Sequence, residues 1–340
     1  MNSTGLDLHS FDVVLAFLSP HRRVPADYLA SFPISAKGQR PPLSGTGKGD
    51  RSDLSASFIM LDRDGSVLVT TGPVRPSDVR LRRAQALAQN TELAVEISRH
   101  LIEQKLLGQE QVARNKLHAS TVADAIARWR AELAHATSIS DVRFMESQAA
   151  GVYWSVFRDV PVRFPKQQLP RVPLHWQTFG ARQSPISRSN RLAVTPTNAI
   201  LNYLYAIVEP ESRMAAAALG LDPGLGFLHM DTAARDSLAC DLMEPIRPKV
   251  DAYLLDLIDG RPLSRSWFHE MPNGNCRLMS DITSELSNTA LQWARLVAPV
   301  AEWLTRTLWA ATRGKSIGQQ QIPTTRLTQS KKYAAKGDAA

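Results

Sequence analysis

From about Ser77 to residue 312 the apolar residues recur at helical spacing, a pattern that commits most of this chain to packed α-helices. The segment 78–107 carries Leu81, Ala84, Leu87, Leu93, Ile97 and Leu101 in that register, with Arg80, Arg82 and Arg83 in its first turns. Residues 120–135 predict a second helix, with Ile126, Trp129 and Leu133 on one face. A third is expected from an N-cap at Ser140 through Glu146 to about Phe157. Thr195-Pro196 opens another, a capping hydroxyl followed by Pro at the first helical position. That helix carries Asn198, Leu201, Asn202, Tyr203 and Tyr205. Ser237 is read as the cap of a helix holding Asp241 and Glu244, which Pro245 and Pro248 must kink or restart. Residues 281–311 are helical again. The tryptophans fall mostly at core spacing and are read as packing.

The start of the chain differs. Residues 11–18 predict a short strand, and 55–72 a hairpin turning at Asp62-Arg63-Asp64-Gly65. Between them, 34–52 is rich in Gly, Pro, Ser and Lys and is expected to be a mobile loop. The tail 313–340 is polar and basic, and is expected to be flexible. The expected fold class is therefore α+β. A small N-terminal β-rich domain, 1–75, precedes a larger all-α helical catalytic domain, 77–312.

Hydrophobic residues make up 44% of the chain, enough for a sizeable core. Lys plus Arg number 40 against 32 for Asp plus Glu, and the resulting +8 suits a polyanionic partner. Cys240 and Cys276, the two cysteines, make neither a disulfide framework nor a four-thiolate zinc site, and they fit a reducing compartment. The N-terminus lacks the pattern of a secretory signal, and no apolar run approaches the ~18–20 residues of a membrane span. A cytoplasmic protein with no membrane contact is expected. No GxGxxG, Walker or GxSxG motif is present, so dinucleotide, nucleoside-triphosphate and serine-hydrolase chemistry lack support.

The candidate chemistry lies in 220–248, GLDPGLGFLHMDTAARDSLACDLMEPIRP. His229 follows a turn at Asp222-Pro223-Gly224 and a short apolar stretch. Asp241 and Glu244, three residues apart, share one helix face. Two acids so placed repel one another unless a cation stands between them. Carboxylates with one imidazole suit Mn²⁺ or Mg²⁺, the His tilting the choice towards Mn²⁺, while Zn²⁺ stays open on ligand type. Taken alone the spacing also fits an ordinary set of structural polar groups.

The run GLDPGLGFLH followed by SLACDLMEPIRP resembles the signature of the CRISPR-associated integrase family, which inserts new spacers into CRISPR arrays. NAILNYLYAIV, 198–208, resembles that family's Asn-x-x-Leu-Asn-Tyr-x-Tyr helix. Glu146 in RFMESQAAGVYW resembles its remaining metal ligand, and 58–88 resembles its junction between β-domain and helical domain. The match runs in order over about 58–312. By this resemblance Glu146, His229 and Glu244 are the metal ligands and Asp241 an acid beside them that orients the site, all four forming the catalytic centre. The implied reaction is attack of a DNA 3′-hydroxyl on a phosphodiester at a CRISPR repeat, with water in its place giving endonuclease activity. A general acid–base role for His229 is the alternative to ligation. The family's β-domain has more strands than 1–75 suggests here. The resemblance also implies double-stranded DNA as partner (spacer precursor and CRISPR repeat), a homodimer, and a small ferredoxin-like CRISPR-associated partner dimer.

Contacts to DNA phosphates are expected from Arg182, Arg188 and Arg191 ahead of the Asn198 helix, from Arg158, Arg163 and Lys166 after the Glu146 helix, and from Arg247. For each of these a solvated surface charge is the plainer alternative. Asn198 and Asn202 share a face, where helix-to-helix hydrogen bonding is favoured over DNA contact. Two other functions compete: an integrase of a mobile element or stand-alone branched-DNA nuclease using the same ligands, and a non-catalytic DNA-binding scaffold.

Overall fold

In a computed structural model, nine α-helices lie among the described residues, which are 14–18, 57–61, 67–71, 78–182, 192–229 and 235–312. The chain divides into two compact units, Met1–Pro76 and Ser77–Ala340. In the first, β1 (Val14–Leu18), β2 (Ser57–Leu61) and β3 (Val67–Thr71) form an antiparallel sheet in the order β1-β2-β3. Phe58 stands opposite Phe17 on one side and Thr71 on the other. The hairpin expected in 55–72 is β2-β3, with a register shift between Met60 and Leu61. The segment 34–52 and the tail 313–340 lie outside the described residues.

The second unit holds α1 (Val79–Ala88), α2 (Glu92–Asn115), α3 (Ser120–Glu132), α4 (Ile139–Ser155), α5 (Pro196–Ala218), α6 (Ser237–Met243), α7 (Arg247–Gly260), α8 (Ser280–Ser287) and α9 (Ala290–Thr312). The helix expected over 78–107 is two helices. Thr91 takes extended backbone at the start of α2, and its hydroxyl donates to the Ala88 carbonyl, closing α1. Ser138, not Ser140, caps α4. Its hydroxyl accepts from the Asp141 amide while the Asp141 carboxylate accepts from the Ser138 amide, and only Ser138 has an acid at the right offset for that reciprocal pair. Asp236 stands at the cap position of α6, with Ser237 buried as its first residue. Pro245 and Pro248 restart the chain as α7, and Thr195-Pro196 opens α5 as the sequence predicts. The region 281–311 breaks at Asn288-Thr289. The helical unit also contains a small hairpin, β4 (Phe268–Glu270) with β5 (Cys276–Leu278), turning at Gly274 with φ of +77°.

Helix α2 packs against α3, α4 and α7, and α5 packs against α6, α7 and α9. Ile97, Leu101, Ile102 and Leu106 of α2 are fully buried, each worth about 1.5–3 kcal/mol of transfer free energy. The approach of α2 to α7 depends on Gly108, where an added Cβ would lie 2.8 Å from the Pro248 Cβ. No helix among the described residues is long and apolar enough to cross a membrane.

One acid on α5 has no part in the site. Glu211 is buried, and burial alone pushes its carboxyl up to about 7. A carboxyl whose folded value lies above its unfolded value holds its proton more firmly when folded, so it lowers stability as pH rises through that interval. Glu211→Gln should therefore change stability little near pH 4, raise it by about 1 kcal/mol at pH 5, and raise it at pH 8 by roughly 3 kcal/mol. Urea unfolding of both proteins at these pH values checks this; equal stability at pH 8 would contradict it.

Candidate metal centre

The segment that delivers His229 has no regular structure, and three helices hold it. From α1, the fully buried Gln85 donates through Nε2 to the carbonyls of Asp222 (2.8 Å) and Leu225 (2.9 Å) and accepts the Asp222 amide through Oε1 (2.9 Å). From α4, the Arg143 guanidinium donates to the Leu228 carbonyl, Nε at 2.7 Å. From α6, Asp241 accepts the amides of Phe227 (2.6 Å) and Leu228 (3.0 Å) on Oδ2, and the His229 amide (3.0 Å) on Oδ1. Gly226 makes this approach possible, since a Cβ there would lie 2.7 Å from the Ser237 Cβ and 2.9 Å from its carbonyl carbon.

Asp241 Oδ1 also lies 2.7 Å from His229 Nδ1. Both oxygens of this fully buried side chain face N–H donors, so the carboxylate accepts throughout and Nδ1 must carry the proton. The Nε2 lone pair is left for other use, and Nε2 is 3.9 Å from Glu244 Oε1. Asp241 thus orients His229; with its oxygens occupied, it does not itself face the centre.

Glu244 follows the last turn of α6. Its Oε1 accepts from Arg247 Nε at 2.9 Å, and its Oε2 lies 2.6 Å from Lys105 Nζ. Lys105, from α2, also donates to Glu146 Oε1 of α4 at 2.5 Å. Burial pushes the Glu244 carboxyl up, but Arg247, Lys105 and His229 together outweigh it and hold the group at about 2. Burial likewise lowers Lys105, and Glu244 and Glu146 outweigh that and raise it, so it stays an ammonium. Of the three sequence-predicted ligands, Glu146 and Glu244 are joined through Lys105, and His229 Nε2 lies 3.9 Å from Glu244 Oε1.

Among the described residues no three acid, histidine or cysteine side chains stand close enough to enclose a metal ion as they are. The donors nevertheless fit one. Glu244 Oε2 is buried and accepts no hydrogen bond, since Lys105 Nζ lies beside it but off the bonding direction. With the Nε2 lone pair of His229 and the half-buried Glu146, it gives two carboxylates and an imidazole, a set suited to Mn²⁺ or Mg²⁺.

Under the centre lies a second polar group. Asp251 of α7 is buried and accepts from Tyr153 Oη at 2.8 Å and Tyr205 Oη at 2.6 Å. Burial pushes its carboxyl up to about 6, against the lowering effect of those bonds. The Arg247 guanidinium lies 4.7 Å from the Tyr205 ring centroid, linking this group to Glu244. Arg182 turns inward, with its guanidinium 5.7 Å from the Trp154 ring and 5.8 Å from that of Tyr205. Arg182 and Arg247, both expected at DNA phosphates, are thus packed on aromatic faces, which does not fit the plainer alternative of a freely solvated charge. Arg158, Arg163 and Lys166 are exposed, with Arg163 donating to the Asp259 carbonyl. Arg188 and Arg191 lie outside the described residues. Asn198 donates to the carbonyls of Phe179 and Ala181, each at 3.1 Å, so it ties a loop to the start of α5; the expected bond to another helix is not what it makes.

Lys105 lies in no catalytic motif of the sequence. Its one visible signal is position: with Ile97 and Leu101 it repeats every fourth residue along the buried face of α2, an apolar stripe where an ammonium needs a partner.

The family model described as CRISPR associated protein Cas1 matches residues 52–290. A CRISPR-associated endonuclease Cas1 of Rhodospirillum rubrum is 35% identical over 251 residues, spanning 69% of this chain and 67% of that protein. One from Leptospira interrogans is 30% identical over 217 residues, 61% of this chain and 80% of its own. Among solved structures, a casposase bound to integration product superposes with a TM-score of 0.58 at 23% identity, over 78% of this chain and 79% of its own. A Cas1 protein from Thermotoga maritima gives 0.59 at 18% identity, over 77% and 80%. These two superpositions bear on the fold.

Asp241→Asn puts an NH₂ group where two N–H donors or the imidazole need an acceptor. The expected cost is roughly 3–5 kcal/mol of unfolding free energy. NMR of the histidine ring nitrogens should show His229 losing its Nδ1-protonated form; a variant with wild-type stability and an unchanged His229 tautomer would contradict this geometry.

Proposed function

This chain belongs to the Cas1 family of CRISPR-associated proteins, and from that premise we propose that it is a metal-dependent DNA integrase and endonuclease that joins spacer DNA to CRISPR repeats. The observation that carries this reading is that Lys105 joins Glu146 to Glu244 while His229 Nε2 lies 3.9 Å from Glu244 Oε1, three donor side chains from separate elements sharing one neighbourhood.

Glu146, His229 and Glu244 would hold the Mn²⁺ or Mg²⁺ ion, which when bound supplies charge neutralisation at a phosphodiester and a more acidic hydroxyl or water. Asp241 keeps the His229 lone pair aimed at the centre. Arg247, fixed against Glu244 and the Tyr205 ring, sets a permanent positive charge beside it. In the proposed transesterification the oxygen of a DNA 3′-hydroxyl bonds to a phosphorus in the repeat. The bond from that phosphorus to the repeat strand's 3′-oxygen breaks, and the departing oxygen takes up a proton. Water as attacking group gives cleavage. Preorganised charge and positioning carry the rate, with no covalent link to the protein.

The partners belong to the same proposal: double-stranded DNA as spacer precursor and repeat, a homodimer, and a small ferredoxin-like partner dimer. Support for a protein partner comes from the likeness to a chain of a Cas6-RT-Cas1–Cas2 complex, with a TM-score of 0.57. The exposed Arg158, Arg163 and Lys166 offer sites for DNA phosphates.

Incubating the protein with a short 3′-hydroxyl duplex and a supercoiled plasmid bearing a CRISPR repeat, in Mn²⁺, Mg²⁺ or EDTA, tests this. Joining should require metal, occur at the repeat, and fall by about 100-fold or more in Glu146→Ala and His229→Ala. Joining anywhere on the plasmid would favour a mobile-element integrase. Neither joining nor cleavage in any metal, with DNA binding intact, would leave a DNA-binding scaffold.

A further inference from the structure

We propose that Lys105 is a tethered cation that fills the metal position of the metal-free protein and must leave it when a divalent ion binds, so that this residue sets the protein's metal affinity. The inference rests on Glu146, His229 and Glu244 being the ligand set.

Lys105 Nζ stands between the two acids, 2.5 Å from Glu146 Oε1 and 2.6 Å from Glu244 Oε2. Among the described residues no third acid or histidine completes an enclosure around that point as it stands. Its contact with Glu244 Oε2 is close but not a hydrogen bond, since that oxygen accepts none. Lys105 therefore meets the charge of Glu244 without meeting its bonding direction. A spherical ion has no such directional demand and would use the same oxygen fully.

The two cations cannot share the gap. A divalent ion and an ammonium a few ångströms apart repel, and partial burial makes that repulsion larger than in water. The site also supplies a way out. Glu146 is the more open partner, its side chain 26% exposed against 5% for Glu244. The lysine stem is an unbranched chain with several rotatable bonds, running from a helix that is itself immobilised by Ile97, Leu101, Ile102 and Leu106. The helix stays in place while the ammonium swings to the Glu146 side. In the metal-free state Lys105 offsets the repulsion between Glu146 and Glu244, which Arg247 relieves only at Glu244.

Mn²⁺ titration of the full chain, followed by electron paramagnetic resonance of the free ion, tests the inference with wild type, Lys105→Met and His229→Ala. Lys105→Met should bind Mn²⁺ about tenfold or more tightly than wild type, because the competing cation is gone. Its metal-free thermal midpoint should fall, and its Mn²⁺-induced rise in midpoint should exceed that of wild type. If Lys105→Met does not fold without metal, Lys105→Gln carries the same expectation, being neutral and able to hydrogen-bond both acids. A folded neutral variant that binds Mn²⁺ no tighter than wild type would overturn the inference and make Lys105 a support for the ligands. Equal binding by wild type and His229→Ala would show that Mn²⁺ sits elsewhere. The ligand assignment itself would then fail, a result distinct from a wild type that binds at the centre with an unchanged Lys105 variant.

Discussion

The centre depends on one buried carboxylate. Asp241 takes three successive backbone amides and one imidazole N–H, and so fixes an irregular segment of chain to a short helix. A carboxylate excluded from water is costly unless its lone pairs are filled, and here the donors that fill them come from the very segment that needs fixing. The cost of burying the charge and the cost of ordering the segment are met by one interaction. Gly226 admits the approach, Gln85 holds the turn before it, and Arg143 holds the carbonyl just ahead of His229. The helical packing serves to bring α1, α4 and α6 to the same few residues.

Charge balance governs the rest. Glu146 and Glu244 face Lys105, and Glu244 also faces Arg247, so Glu244 stays ionised in a setting whose burial would otherwise protonate it. Arg247 continues the chain of contacts to Tyr205, which donates to Asp251. The arrangement is a graded one. Asp251, held near 6 by burial, sits among phenols, and Glu244 sits among cations. Both are buried acids, and what surrounds them gives opposite outcomes.

Much of this was legible in the residues. Helical spacing located the helical unit, Thr195-Pro196 marked the start of α5, and the three-residue offset of Asp241 and Glu244 placed both on one helix turn. The order of motifs over about 58–312 carried the resemblance, and the family model covers 52–290. The misses have physical causes. A helix of thirty residues and two helices broken at Thr91 have the same apolar period, and the break is set by one hydroxyl. Ser138 and Ser140 are both capping residues, and the choice lies with the acid that can reciprocate. Lys105 was invisible because its partners lie forty residues and more away in sequence, brought near only by packing. Arg182 is expected at DNA phosphates, and nothing in a Ser- and Arg-rich stretch reveals that its guanidinium packs against the rings of Trp154 and Tyr205.

The central claim is that Glu146, His229 and Glu244 bind one divalent ion. Anomalous diffraction from crystals of the protein grown with Mn²⁺ tests it most directly. The account predicts one strong peak at bonding distance from Glu146, His229 Nε2 and Glu244, with Asp241 still on Nδ1. A manganese peak elsewhere, or none while Lys105 remains between the two acids at saturating metal, would contradict it.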